Sequence, residues 1–317
     1  MRKIIIMLLL PFISVCTGFA QENPDYITSG YYQLIYEVNI ADSEGNRELA
    51  FSKLQQAEQA CPIIQQDAYH EMSLYAELLI EKGDYEKALK YITKLVGDYG
   101  CNPASFDEFD EWVTPDFKEK VNWKSQLKQL KVLYDNFYTP EREELAKKIK
   151  KITEIDQKPR LAISKQREGE ALTPEELESI ESWRKTDSIN RVEMVEIFKK
   201  YGYPAQRVIG SKNVFTIMRL TALFLHVSDG EDISDLVLKS VRLGQCSPSL
   251  YGLIMDRKNG FYKDNDSTYA SAANAEIDNN PDHIAKINAR RLAVGMPTIE
   301  MSKQETEIFR RKMELSE

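Results

Sequence analysis

The sequence predicts an all-α protein, and three observations carry that prediction. The chain of 317 residues holds 14 glycines and 12 prolines, about 8% together against roughly 12% in average usage, too few for a turn-rich sandwich or barrel. Apolar residues recur at helical spacing through most of its length, with no alternating strand pattern competing. The combination Thr-Pro-acid occurs three times, at Thr114-Pro115-Asp116, Thr139-Pro140-Glu141 and Thr173-Pro174-Glu175. Each supplies a side-chain oxygen for free amides, a proline where no N–H is needed, and an acid suited to the helix dipole. With 42% hydrophobic and 29% charged residues, the chain is globular rather than disordered.

At the N-terminus, Arg2 and Lys3 precede an apolar run from Ile4 to Val15, and Gly18-Phe19-Ala20 places small residues before a cut. This is the layout of a secretory signal peptide, cleaved near Ala20, so the product is expected to be periplasmic or secreted. The run is too short to span a membrane and nothing downstream approaches that length. Cys16 raises a lipid-anchor alternative, which Val15 just before it disfavours. Cleavage takes the formal charge from −8 to −10, a balance that suits solubility and excludes sequence-independent binding of nucleic acid. Cys61, Cys101 and Cys246 then remain. An odd number permits one internal bridge at most, and their spacing, with only His70, His226 and His283 to supplement it, matches no zinc site. No metal and no cofactor is expected.

Residues 31–100 read as two helix pairs. In the second, Tyr69, Met72, Leu74, Tyr75, Leu78 and Leu79 form one stripe and Ala88, Leu89, Ile92, Leu95 and Val96 the next, around a Gly83-Asp84-Tyr85 turn. The run Gly83-Asp84-Tyr85-Glu86-Lys87-Ala88-Leu89 resembles the turn and second helix of a tetratricopeptide repeat. Leu34, Val38, Ala41, Ala50, Leu54, Ala57 and Pro62 fit a degenerate first copy. Two units cannot bury their own faces, so the pair must lean on the rest of the chain. The resemblance further implies that Cys61 and Cys101 each close the second helix of a unit, near enough for a bridge to be open.

From 102 to 137 the chain is acidic and aromatic, with Phe106, Phe109, Trp112, Phe117, Trp123, Tyr134 and Phe137 expected to seal the end of the array. Helices then start at the Thr-Pro signals, Glu176 completing a capping box. Asn213 to Leu225 is apolar almost all round, which predicts a buried central helix. Ile233, Leu236, Val237, Ser240 and Val241 give an amphipathic helix, Ser247-Pro248 opens another, and Asp282 and Ser302 are expected to open the last two. Residues 259–281 form a long polar connection. The division is thus a leader over 1–20, a helical repeat region over 21–137, a C-terminal helical domain over 138–300 and a charged terminal helix over 301–317.

Several polar pairs in the C-terminal half share a helix face: Asp156 with Arg160, Asp187 with Asn190, and His226 with Asp229, beside the adjacent Asp256-Arg257. Their order is informative. Asp156-Gln157-x-x-Arg160, Asp187-x-x-Asn190-Arg191, Tyr201-Gly202-Tyr203-Pro204, Val208-Ile209-Gly210, Leu225-His226 and Asp256-Arg257, closed by Asn288-Ala289-Arg290-Arg291 and Gly295-Met296-Pro297, resemble the successive motifs of an uncharacterised bacterial family, the domain of unknown function numbered 6624. The resemblance covers about residues 150–297. It implies a shared polar site and no particular reaction. Two departures, Leu225 where the family pattern has glutamine and a rewritten stretch Tyr262 to Thr268, imply an inactive member should the family be enzymatic.

The residues themselves leave three readings open. The favoured one is an exported, non-catalytic scaffold that binds a protein or peptide through the repeats and a polar cleft. The second is a cell-envelope enzyme, such as a hydrolase, with His226 as acid/base, Asp187 and Asn190 orienting it, and Asp156, Gln157, Arg160, Asp256 and Arg257 supporting the site. In the third, the polar set is a buried network that specifies the core. No nucleophile elbow, phosphate loop or dinucleotide fingerprint is present, and Asp264-Asn265-Asp266 lacks the glycine and glutamate of a calcium loop.

Overall fold

The structure is a computed structural model that describes residues 24–66, 70–108, 111–227, 231–259, 268–271, 277 and 280–314. The leader, Tyr69, Phe109, Asp229 and the Asp264–Asp266 stretch lie outside the described residues, among which every regular element is a helix.

Helices α1 (Tyr31–Ser43) and α2 (Arg47–Ala60) form one hairpin, α3 (Glu71–Glu81) and α4 (Tyr85–Tyr99) a second. The anticipated stripes are inside: Val38, Ala41, Ala50, Leu54 and Ala57 in the first pair, Met72, Tyr75, Leu78, Ala88, Ile92 and Leu95 in the second. Asn46 and Asp84 cap α2 and α4 by accepting from Leu49 N and Lys87 N. The hairpins are joined at Glu58, whose carboxylate accepts from the Tyr75 and Tyr91 hydroxyls at 2.8 and 2.6 Å and from Lys87 Nζ at 2.6 Å. Burial works against its charge, but the bonds from Lys87, Tyr91 and Tyr75 outweigh this and hold its carboxyl below the usual range.

None of the three described cysteines is in a disulfide. Cys61 sits at the C-cap of α2 and donates to Ser29 Oγ at 3.1 Å, so no bridge joins it to Cys101 after α4.

Short helices α5 (Ser105–Glu108) and α6 (Pro115–Lys120) lead into α7 (Trp123–Phe137), which packs on α4. Phe106, Phe117 and Trp123 are buried there, Phe117 against the Tyr85 ring at the start of α4. Gly100 ends α4 at φ +65°, and a Cβ on it would lie 2.6 Å from the Phe137 ring. Positive φ and close approach both require glycine. Gly100→Ala is therefore expected to lower stability by about 2 kcal/mol or more, read as a fall in urea midpoint with an unchanged denaturant slope.

The C-terminal half begins with two long helices, α8 (Pro140–Arg167) and α9 (Pro174–Tyr201), packed side by side. Thr114, Thr139 and Thr173 cap α6, α8 and α9, each followed by its proline, and Thr173 with Glu176 forms the anticipated capping box. Short α10 (Gln206–Ile209) and a 3-10 turn precede α11 (Val214–Val227), which lies against both long helices, and α12 (Glu231–Arg242) and α13 (Pro248–Lys258) follow. The last two, α14 (Pro281–Ala293) and α15 (Ile299–Glu314), start earlier than the sequence suggested. Asn280 rather than Asp282 caps α14, and Thr298 rather than Ser302 precedes α15, because the side-chain oxygens placed to accept a first-turn N–H are theirs.

One hydrophobic core extends from Tyr26 to Ile254. The hairpins lean on the later helices through tyrosines: Tyr32 donates to Val241 O at 2.6 Å, and Tyr26 N donates to Arg242 O at 2.9 Å. No helix among the described residues is long and apolar enough to cross a membrane.

The sequence also mispredicts α11. It is not buried all round: Leu220, Leu223 and Phe224 face the core, while Val214, Phe215 and Met218 are 42%, 77% and 70% exposed.

Near the C-terminus, burial pushes the Glu305 carboxyl from an ordinary 4.5 to about 7, with Arg291 pulling against that rise. A carboxyl raised on folding stabilises the fold fully below its unfolded value and ceases to do so as pH rises through the folded one. Glu305→Gln should thus flatten the decline in melting temperature between about pH 4.5 and 7, and stabilise the protein at pH 8 by about 1 kcal/mol, a figure reduced for partial exposure. A melting series across that range with no difference from wild type would remove the assignment.

Candidate functional site

Asp156 is the centre of the polar set. It lies on α8 with its side chain wholly buried, and α11 brings His226, in its last turn, to it from the other side: His226 Nδ1 is 2.8 Å from Asp156 Oδ2. A carboxylate accepts and does not donate, so Nδ1 carries the proton and the ring's Nε2 is the nitrogen left for exchange. Gln157 Nε2 donates to the same oxygen at 2.6 Å.

Arg160, one turn along α8, joins this pair to α9. Its guanidinium grips Asp187 with both bonds from Nη2, at 3.0 Å to Oδ1 and 2.8 Å to Oδ2, and stands over the Trp183 ring at 5.8 Å. Nη1 donates to the Asp156 main-chain carbonyl at 2.5 Å and lies 3.5 Å from its Oδ1.

Pro159 sits inside α8. A proline in a helix interior supplies no N–H to the carbonyl four residues back, here that of Ile155.

Five of the predicted residues, Asp156, Gln157, Arg160, Asp187 and His226, are thereby linked across three helices. Asn190, one turn beyond Asp187, is buried beside them, and its Nδ2 donates no hydrogen bond. His226 and Asp187 connect only through Asp156 and Arg160, and each acidic group is engaged by a cation or an imidazole.

Asp256 and Arg257 do not join them. Asp256, buried on α13, accepts from Thr268 Oγ1 at 3.2 Å, Tyr269 N at 2.6 Å and Ser271 N at 2.7 Å, which anchors the 268–271 segment. Arg257 is solvent-exposed. Adjacent helix residues point in different directions, so the pair could not share a face.

Concavity is found elsewhere. A surface groove of about 530 Å³ runs between α8 and α11, lined by Ile155, Gln157, Leu161 and Arg219. A more enclosed cavity of about 290 Å³ lies where the hairpins meet the later helices, between Gln65-Gln66, α10, α11 and the turn at 244–247. Sequence reasoning missed this cavity. Gln65, Gln66 and Gln245 lie outside the helices and Gln206 opens the four-residue α10, too short for a periodic pattern to mark it, and some 140 residues separate Gln66 from Gln206.

Among the described residues, no group of three or more His, Cys, Asp or Glu side chains is placed to hold a metal ion. A scan against protein-family models, a search of curated proteins and a search of solved structures each found no match.

Proposed function

We propose that this protein is an exported helical scaffold that binds a protein or peptide partner and does not catalyse a reaction. The observation that supports this best is the outer face of α11, where Val214, Phe215 and Met218 expose large apolar side chains. Such side chains scattered singly need no explanation, but adjacent ones on a helix face mark an interaction surface. The face runs directly into the 290 Å³ cavity, which Met218 and Thr221 also line.

Removing the hairpins would not test this, because they share the core of the later helices. Point changes on the exposed face will. The double variant Phe215→Glu and Met218→Glu, immobilised as full-length folded protein, is expected to lose a partner that wild type captures from envelope extract. Undiminished capture of the same species would remove the reading.

One observation favours the enzyme reading as a second possibility: Asp156 orients the His226 ring and leaves Nε2 for proton exchange. On that reading His226→Gln abolishes turnover of a substrate while capture is unchanged.

A further inference from the structure

We infer that the cavity between the hairpins and α11 receives an uncharged primary amide, the side chain of an Asn or Gln delivered by the peptide partner. This rests on the binding reading above and specifies the chemistry of its deepest contact.

Four glutamines line the cavity, Gln65, Gln66, Gln206 and Gln245, and the Oε1 of Gln245 accepts from Tyr203 N at 3.5 Å. Gln65 is fully occupied by the fold. Its Oε1 accepts from Met72 N at 3.0 Å and Ser73 N at 3.2 Å, and its Nε2 donates to Ser73 Oγ at 3.2 Å, so it caps the start of α3. Gln66 and Gln206 differ. They are only 5% and 7% exposed, both line the cavity, and the Oε1 of each is buried and accepts no hydrogen bond. Buried polar atoms in native proteins are nearly always paired, by protein, water or ligand, and two such acceptors lining one cavity suit a ligand that donates.

Charge narrows the ligand. Among the described residues of the lining, Arg207 is the one ionised side chain and none carries a carboxylate. The nearby buried Glu71 accepts from Gln66 N at 2.8 Å and does not line the cavity. An ammonium group would enter without a counter-charge and beside a cation. A carboxylate would suit Arg207 but brings no proton for either Oε1. A neutral donor with at least two hydrogens meets both requirements, and a primary amide carries two on one planar nitrogen.

Its carbonyl is also provided for. The Tyr99 hydroxyl accepts from Gln65 N at 3.1 Å and keeps its own proton to donate. Ile217, Met218 and Leu253 give the cavity an apolar part of its lining, which matches the methylene stem of a Gln side chain better than the polar circumference of a sugar. Met218 belongs to both that lining and the exposed ridge, so a chain lying over Phe215 would direct a side chain inward.

The test uses saturation-transfer NMR on the full chain, with N-acetyl-glutamine methylamide as probe and the corresponding glutamate and lysine derivatives and glucose as comparators. The glutamine probe is expected to show transfer to its side-chain methylenes, and the comparators little. Gln66→Leu and Gln206→Leu should each weaken its affinity about tenfold, as loss of one buried hydrogen bond requires. Thr221→Trp, at an exposed position on the cavity mouth, should abolish the signal without altering the thermal melt, which keeps the test valid should a glutamine variant fold poorly. Transfer equal for lysine, glutamate or glucose, transfer that survives Thr221→Trp, or no transfer at all would each overturn the inference. If it falls while Phe215→Glu with Met218→Glu still abolishes partner capture, the amide assignment fails alone. If that double variant captures normally, the binding reading fails.

Discussion

Asp156→Ala is expected to lower stability by about 3–5 kcal/mol, the range seen when one member of a buried ion pair is removed. The side chain is wholly buried, and its removal withdraws the acceptor of both His226 Nδ1 and Gln157 Nε2 while leaving Arg160 with Asp187 as its only carboxylate partner. In a protein of this size the fall in melting temperature should be on the order of 10 °C. His226→Ala should cost much less, a few degrees, because the 18% exposure of its side chain lets water reach the Asp156 carboxylate in its place. If the set is a cooperative network, the two changes together will cost less than their sum, since the bond between them is lost only once. Circular dichroism melts of the two single variants and the double one settle it. A loss of under about 1 kcal/mol for Asp156→Ala would show that the network contributes little to the fold.

The asymmetry between those two residues also explains what could be read in advance. Spacing alone put Asp156 with Arg160 on one face and Asp187 with Asn190 on another, and α8 and α9 do hold them so. The partner of Asp156 could not be deduced that way, because His226 arrives from a third helix 70 residues away.

Helix starts were legible where the chemistry was local. Thr139 and Thr173 cap by reaching the N–H three residues on, a contact contained within four residues of sequence. Asp282 and Ser302 misled because each lies near a second residue, Asn280 or Thr298, better placed for the same role. The error over α11 has a different origin. Apolar composition reports that surface is costly to leave in water, and not whether the chain's own core or another molecule covers it. Phe215 and Leu220 read alike in the sequence, yet one is 77% exposed and the other wholly buried.

Arg291→Leu is expected to be as damaging as the loss of Asp156, about 3–5 kcal/mol, and to carry a pH signature that identifies its cause. The guanidinium is 3% exposed and donates to Pro297 O at 2.5 Å, Tyr269 O at 2.7 Å, Ala270 O at 3.2 Å and Ser302 Oγ at 2.6 Å. It therefore joins the end of α14 to the 269–270 segment and to the start of α15, around the small core of Ala270, Ile287 and Ile299. Leucine fills much of the volume but leaves three main-chain carbonyls without this donor, in a region where water cannot easily substitute. Burial lowers the pKa of Arg291 itself, with Tyr36, Asp256 and Glu300 opposing that shift. The pH signature follows from Glu305, whose carboxyl Arg291 restrains at about 7. Without the cation that carboxyl rises further. Below about pH 5 it is protonated in the folded state with or without Arg291, and the variant's deficit reflects the lost hydrogen bonds alone. Above pH 7 wild type retains the attraction between the two charges and the variant does not, so the deficit must be larger at pH 8 than at pH 5. Adding Glu305→Gln to Arg291→Leu should make the deficit, measured against Glu305→Gln, equal at both values. A deficit already independent of pH in the single variant would show that Arg291 acts only as a hydrogen-bond hub, with no electrostatic hold on Glu305.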